Sequence, residues 1–367
     1  MLTTPMRKVL FLLLALIAIG SAFALAEEPY RVAMITDYAD ITDQSFSQTC
    51  YEACRSFCET NGIDFTYYKP NGDSAAERTA MVEKANDDGY NVVVLPGFAF
   101  AETIIDVQDE YPDTIFIASD ISEGDLGGTA IGHNVYCAVY KEELCGYMAG
   151  YAAVRLGYTH LGFLGGMAVP GVVRYGYGFV QGADAAAQEV DVDAVVEFVY
   201  GNQFYGDADI TAYMDNWYQN LGVQAVFACG GGIYSSVAEA AVKVPGAKII
   251  GVDVDQAPII DGIYGDGLTL TSAMKGLAAS INNILGETVA GRFDQYGGKS
   301  EALGLVSEDP DVNYVGLAPS TQWDETFTEE DYRILVGKML NGTIIVSDSI
   351  DNMPETAIVV NDLGSIK

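Results

Sequence analysis

The stretch Asn91-Val-Val-Val-Leu95, followed by the break Pro96-Gly97, indicates the fold most clearly. A helical segment at residues 101–111 comes next, and the strand Thr114-Ile-Phe-Ile-Ala118 then ends at Ser119-Asp120. Short runs of β-branched residues, separated by helices of about 10–15 residues, are typical of β-α-β units with a parallel sheet. We therefore predict an α/β fold.

The same alternation extends towards the amino end of the chain and starts again after residue 160. The first series also contains a strand, a helix, a strand and a helix at Arg31–Thr36, Ser45–Asn61, Phe65–Tyr68 and Ala75–Asp88. The second series contains a helix at 175–190 and strands at Leu161–Leu164, Val195–Val199, Ala225–Ala228 and Lys248–Val252. Two such series predict two doubly wound parallel-sheet lobes, with a cleft where the strands end.

Two regions fit this pattern less well. Residues 134–156 are rich in Ala, Gly and Tyr, and we predict a helix there that joins the two lobes. From Glu301 onward the sequence is irregular, with predicted strands near Leu303–Val306 and Thr343–Val346.

The first 26 residues have the features of a secretory signal. Arg7 and Lys8 precede the apolar run Val9–Ile19, and Ala24-Leu-Ala26 offers a cleavage site. A membrane-spanning helix needs about 20 apolar residues, which is more than this run supplies. We therefore predict cleavage after Ala26 and export of the remaining chain.

The charge of the chain is strongly negative, with 18 basic and 51 acidic residues and a net charge of −33. Removal of the predicted signal leaves 16 basic against 51 acidic residues, or −35. Such a field repels nucleic acid and anionic lipid, so we expect no nucleic-acid partner. It favours a neutral or cationic small ligand, although an adaptation for solubility explains the charge equally well.

Six cysteines invite disulfides in an exported chain. However, Cys50, Cys54 and Cys58 are spaced to share one helix face, and no histidines or second thiol cluster accompany them. We expect small buried hydrophobic residues for most of them and no metal or cofactor. No cysteine follows the signal directly, so a lipid anchor there is not indicated.

Two polar segments lie where first-series strands end. In Asp43-Gln44-Ser45-Phe46, Asp43 suits the cap of a helix, and Phe46 in the first turn is either a core residue or a ligand platform. Asp120 follows the strand at 114–118, where a carboxylate faces the cleft or caps the next turn. Both segments are candidates for ligand contact.

Two more candidates belong to the second series. Cys229-Gly-Gly-Gly232 precedes a helix and would let backbone amides approach a polar ligand. Gly251-Val-Asp-Val-Asp-Gln256 holds two carboxylates, and Thr271-Ser-Ala-Met-Lys275 brings a lysine about twenty residues later. These groups suit ligand hydroxyls, and they equally suit a glycosidase-like pair or a calcium site.

The usual catalytic motifs are missing from the sequence. The chain holds two histidines, His133 and His160, and neither lies near a serine or cysteine in a nucleophile motif. There is no Gly-x-Ser-x-Gly, His-Glu-x-x-His or Cys-x-x-Cys. Catalysis by carboxylates alone stays open, but we expect a protein that is not an enzyme.

Taken in order, several segments resemble the basic membrane protein family of ABC-transporter substrate-binding proteins, several of which bind purine nucleosides. The resemblance covers residues 30–342. Its most specific parts are Gly251-Val-Asp-Val-Asp-Gln256 and Thr271-Ser-x-x-Lys275. The others are Asp43-Gln-Ser-Phe46, Gly165-Gly166, Gly178-Phe-x-x-Gly182 and Gly230-Gly-Gly232. It implies type I periplasmic-binding-protein architecture, an exported receptor, a nucleoside ligand and an ABC permease as partner.

The resemblance also implies a ligand site. Phe46 would stack on one face of the base, with Asp43, Gln44 and Ser45 nearby, and Phe204 would cover the other face. Asp120 would bind the base edge, Asp253 with Lys275 would hold the ribose hydroxyls, and Gly231 would let the backbone approach the ligand. Aromatic faces suit flat bases, and a carboxylate paired with a cation suits vicinal hydroxyls.

On this reading the first lobe holds residues 27–133 and about 270–292, and the second holds about 134–269 and 293–367. The lobes would close on the ligand by bending at a hinge. Two other functions stay open: a receptor of the same fold for a sugar or a signalling metabolite, and a carboxylate-dependent hydrolase of nucleosides or glycosides.

Overall fold

The computed structural model describes residues 29–37 and 39–367. The predicted signal sequence, residues 1–26, lies outside the described residues, so its cleavage stays a prediction. Within the described ranges, no helix combines the length and the apolar character needed to cross a membrane.

Strands and helices alternate along most of the chain. The strands are β1 Arg31–Ile35, β2 Asp64–Tyr68, β3 Val92–Pro96, β4 Ile115–Ser119, β5 Val135–Tyr140, β6 His160–Gly165, β7 Val195–Tyr200, β8 Ala225–Cys229, β9 Lys248–Asp253, β10 Thr269–Lys275, β11 Lys299–Leu303, β12 Val315–Leu317 and β13 Val359–Ser365. The helices are α1 Phe46–Asn61, α2 Ala75–Asp87, α3 Ala101–Val107, α4 Glu142–Arg155, α5 Pro170–Val190, α6 Ala208–Asn216, α7 Tyr234–Ala241, α8 Ala257–Tyr264, α9 Leu277–Val289 and α10 Glu329–Leu340.

In the described part of the chain these strands form two sheets. The first has the order β11-β5-β4-β3-β1-β2, and the second has the order β12-β10-β9-β8-β6-β7-β13. All neighbours run parallel except β12, which is antiparallel to β10. The predicted α/β architecture with two parallel sheets is therefore confirmed. We call each sheet with the helices packed on it a lobe.

Burial on both faces accounts for the continuous apolar sequences of the central strands. Every residue of β3 and of β8 is buried, as expected for parallel strands with both faces covered. The first helix buries Cys50, Cys54 and Cys58 along one face. It ends at Gly62, whose φ of 67° is the left-handed conformation that glycine adopts readily at helix ends.

Three predictions about elements and boundaries were wrong. Residues 134–156 do not form one helix: β5 belongs to the first sheet, and α4 begins only after Lys141. Sheet membership also departs from the predicted lobe boundaries, because β5 and β11 pair in the first sheet while β10 pairs in the second. Residues 343–346 form no strand, whereas β13 pairs with β7 later in the chain.

The chain passes between the sheets at three places: between β5 and α4, after β10, and between β11 and β12. These segments lie side by side. The Lys141 amide donates to the Leu303 carbonyl at 2.9 Å, and the Gly276 amide donates to the Tyr314 carbonyl at 2.8 Å. The Tyr314 amide donates to the Gly304 carbonyl at 3.0 Å. Three adjacent crossings form the kind of connection about which two lobes can bend.

Candidate ligand-binding site

A cavity with about 680 Å³ of empty space, part of it open to solvent, lies where strands of both sheets end. Its lining combines residues that follow strands of the first sheet with residues that follow strands of the second. The lining residues are Asp37, Ala39, Asp43, Phe46, Ser47, Gly97, Phe98, Asp120, Val169, Gly171, Val172, Tyr175, Phe204, Cys229, Gly230, Gly231, Val252, Asp253 and Lys275.

Most of the predicted contact residues come together here. Seven of the nine line the cavity: Asp43, Phe46, Asp120, Phe204, Gly231, Asp253 and Lys275. Gln44 and Ser45 are not among the lining residues. The Gln44 carbonyl accepts a hydrogen bond from Gln256 Nε2 at 3.3 Å, and Ser45 is fully buried. These two residues link the lobes instead of facing the cavity.

Asp43 holds the start of the first helix in place. Its Oδ1 accepts from the amides of Ser45 and Gln48, and its Oδ2 accepts from the amide of Ser47, each at 3.0 Å. Burial raises the pKa of Asp43, and these amide donors counteract that effect. The carboxylate accepts from first-turn amides, as predicted, although the N-cap position itself is Ser45, and it also reaches the cavity wall.

Asp120 and Asp253 occupy equivalent positions in the two sheets. Asp120 directly follows β4, Asp253 is the last residue of β9, and both have left-handed backbone, with φ of 61° and 66°. Residues other than glycine rarely adopt this conformation, and aspartate tolerates it better than most. The backbone turns sharply at the end of each of these two strands. Both carboxylates lie on the cavity wall.

Lys275 forms ion pairs that the sequence did not predict. Its Nζ lies 3.0 and 2.9 Å from the two Asp120 oxygens and 3.0 Å from Glu142 Oε1. The resemblance implies that Asp253 and Lys275 hold the ribose hydroxyls of a ligand, and both residues line the cavity. Lys275 also forms the ion pair with Asp120, which joins the two lobes.

The Asp253 carboxylate is bonded by two hydroxyl groups. Ser45 Oγ donates to its Oδ2 at 3.0 Å, and Tyr175 Oη donates to its Oδ1 at 3.3 Å. Burial raises the pKa of Asp253 to about 6, although Lys275 nearby lowers it. Burial also raises the pKa of Asp120, and Lys275 again opposes the shift. Ser45 comes from the first lobe, so this hydrogen bond also crosses the cleft.

Glu142 and Arg174 complete the charge network, and the sequence analysis missed both. Arg174 Nε donates to Glu142 Oε2 at 2.6 Å, and Glu142 is fully buried. Burial by itself would raise the pKa of Glu142, but Lys275 and Arg174 together lower it. Glu142 is the first residue of α4, directly after a crossing between the lobes. Because residues 134–156 were predicted as one helix, that position was not recognised as a helix start.

The Phe204 ring packs against two glycine backbones. A Cβ added to Gly166 would lie 2.4 Å from the ring, and one added to Gly230 would lie 2.9 Å from it. The Gly232 amide donates to the Phe204 carbonyl at 2.9 Å. The glycine loop Gly230-Gly-Gly232 therefore makes room for Phe204, in addition to contributing Gly231 to the cavity wall.

Other lining residues were also missed. Phe98 follows β3 with Gly97 between them, so the rule that strand ends face the cleft could have identified it. Tyr175 lies inside α5, and sequence offered no signal for its contact with Asp253. Lys275 Nζ lies 5.3 Å from the centre of the Phe46 ring, within the range of a cation–π contact. The cavity thus holds three phenylalanines beside its charges.

The two carboxylates of Gly251–Gln256 have separate roles. Asp255 does not line the cavity; its Oδ1 accepts from Ser320 Oγ and from the Ala257 amide. Across residues 29–37 and 39–367, no group of three or more histidine, cysteine, aspartate or glutamate side chains could hold a metal ion. All six cysteines are free and buried, as predicted for small hydrophobic residues.

Known proteins resemble this chain over most of its length. The Bmp family model, described as "ABC transporter substrate-binding protein PnrA-like", matches residues 30–348. The chain is 26% identical over 279 residues to the ABC transporter nucleoside-binding protein BmpA of Lactococcus lactis, covering 72% of this chain and 76% of that protein. It is 23% identical to Basic membrane protein B of Borreliella burgdorferi, with 86% and 87% of the two chains covered.

A solved structure gives the same picture of the fold. The chain superposes on a solute-binding protein of an ABC transporter system from Aeropyrum pernix with a TM-score of 0.66, at 20% identity. The match covers 86% of this chain and 87% of the other. At this level of identity the likeness shows the fold alone.

Proposed function

The chain belongs to the Bmp family of PnrA-like ABC-transporter substrate-binding proteins, and from this we propose that it binds a purine nucleoside in the cavity between its lobes. Substrate-binding proteins of ABC importers work outside the cytoplasm and deliver a small molecule to a permease. The predicted signal sequence agrees with that location. Such proteins are receptors and not a class of enzyme, so we propose no catalytic step.

One observation carries the choice of ligand: aromatic rings and carboxylates from both lobes meet in one cavity. Phe46 and Phe98 follow strands of the first sheet, and Phe204 follows β7 of the second. Aromatic faces suit a flat base, because offset stacking adds about 0.5–1.5 kcal/mol beyond area burial. Asp120 and Asp253 supply acceptors for the NH groups of a base and for sugar hydroxyls.

The charge of the cavity supports a ligand without phosphate. Among the described lining residues there are four carboxylates (Asp37, Asp43, Asp120 and Asp253) and one ammonium group, Lys275. Lys275 is already paired with Asp120 and Glu142. A nucleotide would bring further negative charge to these carboxylates, whereas a neutral nucleoside would not. The relative from Lactococcus lactis whose name includes nucleoside binding supports the same choice.

Both sets of contacts across the cleft support ligand capture by closure. Asp120–Lys275 and Ser45–Asp253 join the lobes on the cavity wall, and the three crossings lie side by side at the hinge. Bending at those crossings would separate both pairs and open the cavity to solvent. We propose that a nucleoside enters the open form and that these contacts then close over it.

A thermal-shift and calorimetric panel tests the proposal with residues 27–367. The panel contains guanosine, inosine, adenosine, uridine, hypoxanthine, ribose and GMP. We expect purine nucleosides to raise the melting temperature and to bind more tightly than ribose or the free base. A response to ribose or another sugar alone would indicate a sugar receptor. Release of hypoxanthine from inosine would indicate a hydrolase.

A further inference from the structure

Residues 359–367, which we call the strap, comprise the edge strand β13 of the second sheet and the two residues that follow it. Within them β13 pairs in parallel with β7, and the Ile366 amide donates to the Tyr200 carbonyl at 2.9 Å. The family model ends at residue 348, so the strap lies outside the matched region.

The end of the strap contacts the loop that carries Phe204, residues 201–207. Asn202 Nδ2 donates to the Lys367 carbonyl at 2.6 Å. Lys367 Nζ donates to Gln203 Oε1 at 3.1 Å and also pairs with the Asp207 carboxylate. The strap thus holds residues on both sides of Phe204, two positions before it and three after it.

The same loop is built so that these contacts fix its shape. Asn202 has left-handed backbone, with φ of 56°. Gln203 Nε2 donates to Asp207 Oδ2 at 3.0 Å and to the Tyr205 carbonyl at 2.8 Å, which closes the loop on itself. Asp207 caps α6 through its Oδ1. Lys367 therefore binds the two side chains that already bridge the loop.

We propose that the strap is a positioning element, and that Lys367 holds the Phe204 loop in the shape that keeps the ring in the cavity wall. The proposal rests on the proposed function, since it assigns Phe204 to ligand contact. Tyr205, the next residue, is 63% exposed, so the outer part of the loop has little packing to hold it. We call the contacts of Lys367 with Gln203 and Asp207 the tether. Loss of the tether would let the loop move and would speed ligand release.

The test compares Lys367→Met with Lys243→Met. Lys243 forms an ion pair of the same kind with Asp215 in the same lobe, but it lies away from the cavity. Stopped-flow release of guanosine should be about two- to fivefold faster in Lys367→Met, since an exposed ion pair contributes only modestly to holding a loop. Lys243→Met should release guanosine at the wild-type rate. Lys367→Arg keeps the positive charge and should also release guanosine at the wild-type rate.

Two further measurements separate positioning from a general loss of stability. In a Phe204→Ala background, Lys367→Met should have no additional effect on release, because the ring that the tether positions is gone. In the ligand-free protein, Lys367→Met should increase hydrogen exchange of the amides in residues 201–207 and leave α1 unchanged. Release and exchange equal to those of Lys243→Met would overturn the proposal. If guanosine does not bind the wild type, the proposed function fails, and the exchange comparison alone then decides whether the tether exists.

Discussion

Lys275 Nζ lies 2.9 Å from Asp120 Oδ2, so one buried ion pair joins the last residue of β10 to the residue that follows β4. The first partner belongs to the second lobe and the other to the first. Glu142 holds the same ammonium group from α4, the helix that begins just after a crossing. Lys275 and Glu142 thus both lie beside segments in which the chain crosses between the lobes.

Replacement of Lys275 by methionine should strongly destabilise the protein. The change would leave Asp120 and Glu142 as neighbouring buried carboxylates with one cation fewer, and breaking a buried pair costs about 3–5 kcal/mol. Urea unfolding of Lys275→Met and of Lys243→Met measures the difference. Lys243 makes an exposed pair with Asp215, so its loss should cost about 0–1 kcal/mol. Equal losses in the two variants would show that the buried network contributes nothing special.

The contribution of Asp253 to the stability of the empty protein should fall as the pH rises from about 4 to about 7. Burial raises the pKa of Asp253 from 3.8 to about 6, so the folded state binds this proton more tightly than the unfolded state does. The resulting stabilisation is present below the unfolded pKa and is lost as the pH passes the folded pKa, by up to about 3 kcal/mol.

Asp253→Asn is the matched variant for this measurement. It should remove the Asp253 part of the pH dependence from thermal melts. Burial also raises the pKa of Glu143, to about 7, and its contribution has the same sign in both proteins, so their difference isolates Asp253. Identical pH profiles for wild type and variant would contradict the assignment.

Ser45→Ala should weaken nucleoside binding without unfolding the protein. The hydroxyl donates to Asp253 across the cleft, and a hydrogen bond contributes about 0.5–1.5 kcal/mol, or roughly two- to tenfold in affinity. Ser56→Ala, at an exposed position on the same helix, is the control and should bind like the wild type. Calorimetric titration with guanosine distinguishes the two, and a Ser45 variant of unchanged affinity would remove this bond from the closing contacts.

Phe46 and Phe100 should respond in opposite ways to truncation. Phe46 lines the cavity, so Phe46→Ala should cost about 2–4 kcal/mol of binding, or roughly thirtyfold or more, and little stability. Phe100 is fully buried in the first-lobe core, so Phe100→Ala should cost about 3–5 kcal/mol of stability. A large fall in the melting temperature of empty Phe46→Ala, with unchanged affinity, would make Phe46 a core residue.

The sequence predicted the fold best where burial makes the pattern simple. The strand Val92–Pro96 is a continuous apolar run because both of its faces are covered. The pattern failed at Val135–Arg155, where a buried strand passes into a buried helix with only Lys141 between them. It also failed at β13, whose residues are mostly exposed and polar because the strand lies at the edge of its sheet.

The site could be predicted where chemistry follows directly after a strand. Asp120 and Asp253 could be predicted because both lie at the ends of recognisable strands, and the same rule applies to Phe98. The partners of these groups could not be found in this way. Ser45 reaches Asp253, and Lys275 reaches Asp120, only because two separate sheets face each other across the cleft. Such contacts depend on how the two lobes are positioned relative to each other. The pattern of apolar and polar residues along the sequence does not specify that position.

Nucleoside recognition is tested most directly by a calorimetric titration of residues 27–367 with guanosine and with 2′,3′-dideoxyguanosine, repeated for Asp253→Ala. We expect guanosine to bind the wild type at least about tenfold more tightly than the dideoxy ligand, because a charge-assisted hydrogen bond contributes about 1.5–3 kcal/mol. In Asp253→Ala the two ligands should bind with nearly equal affinity. Equal affinities in the wild type, or the absence of any binding by guanosine, would contradict nucleoside recognition at this site.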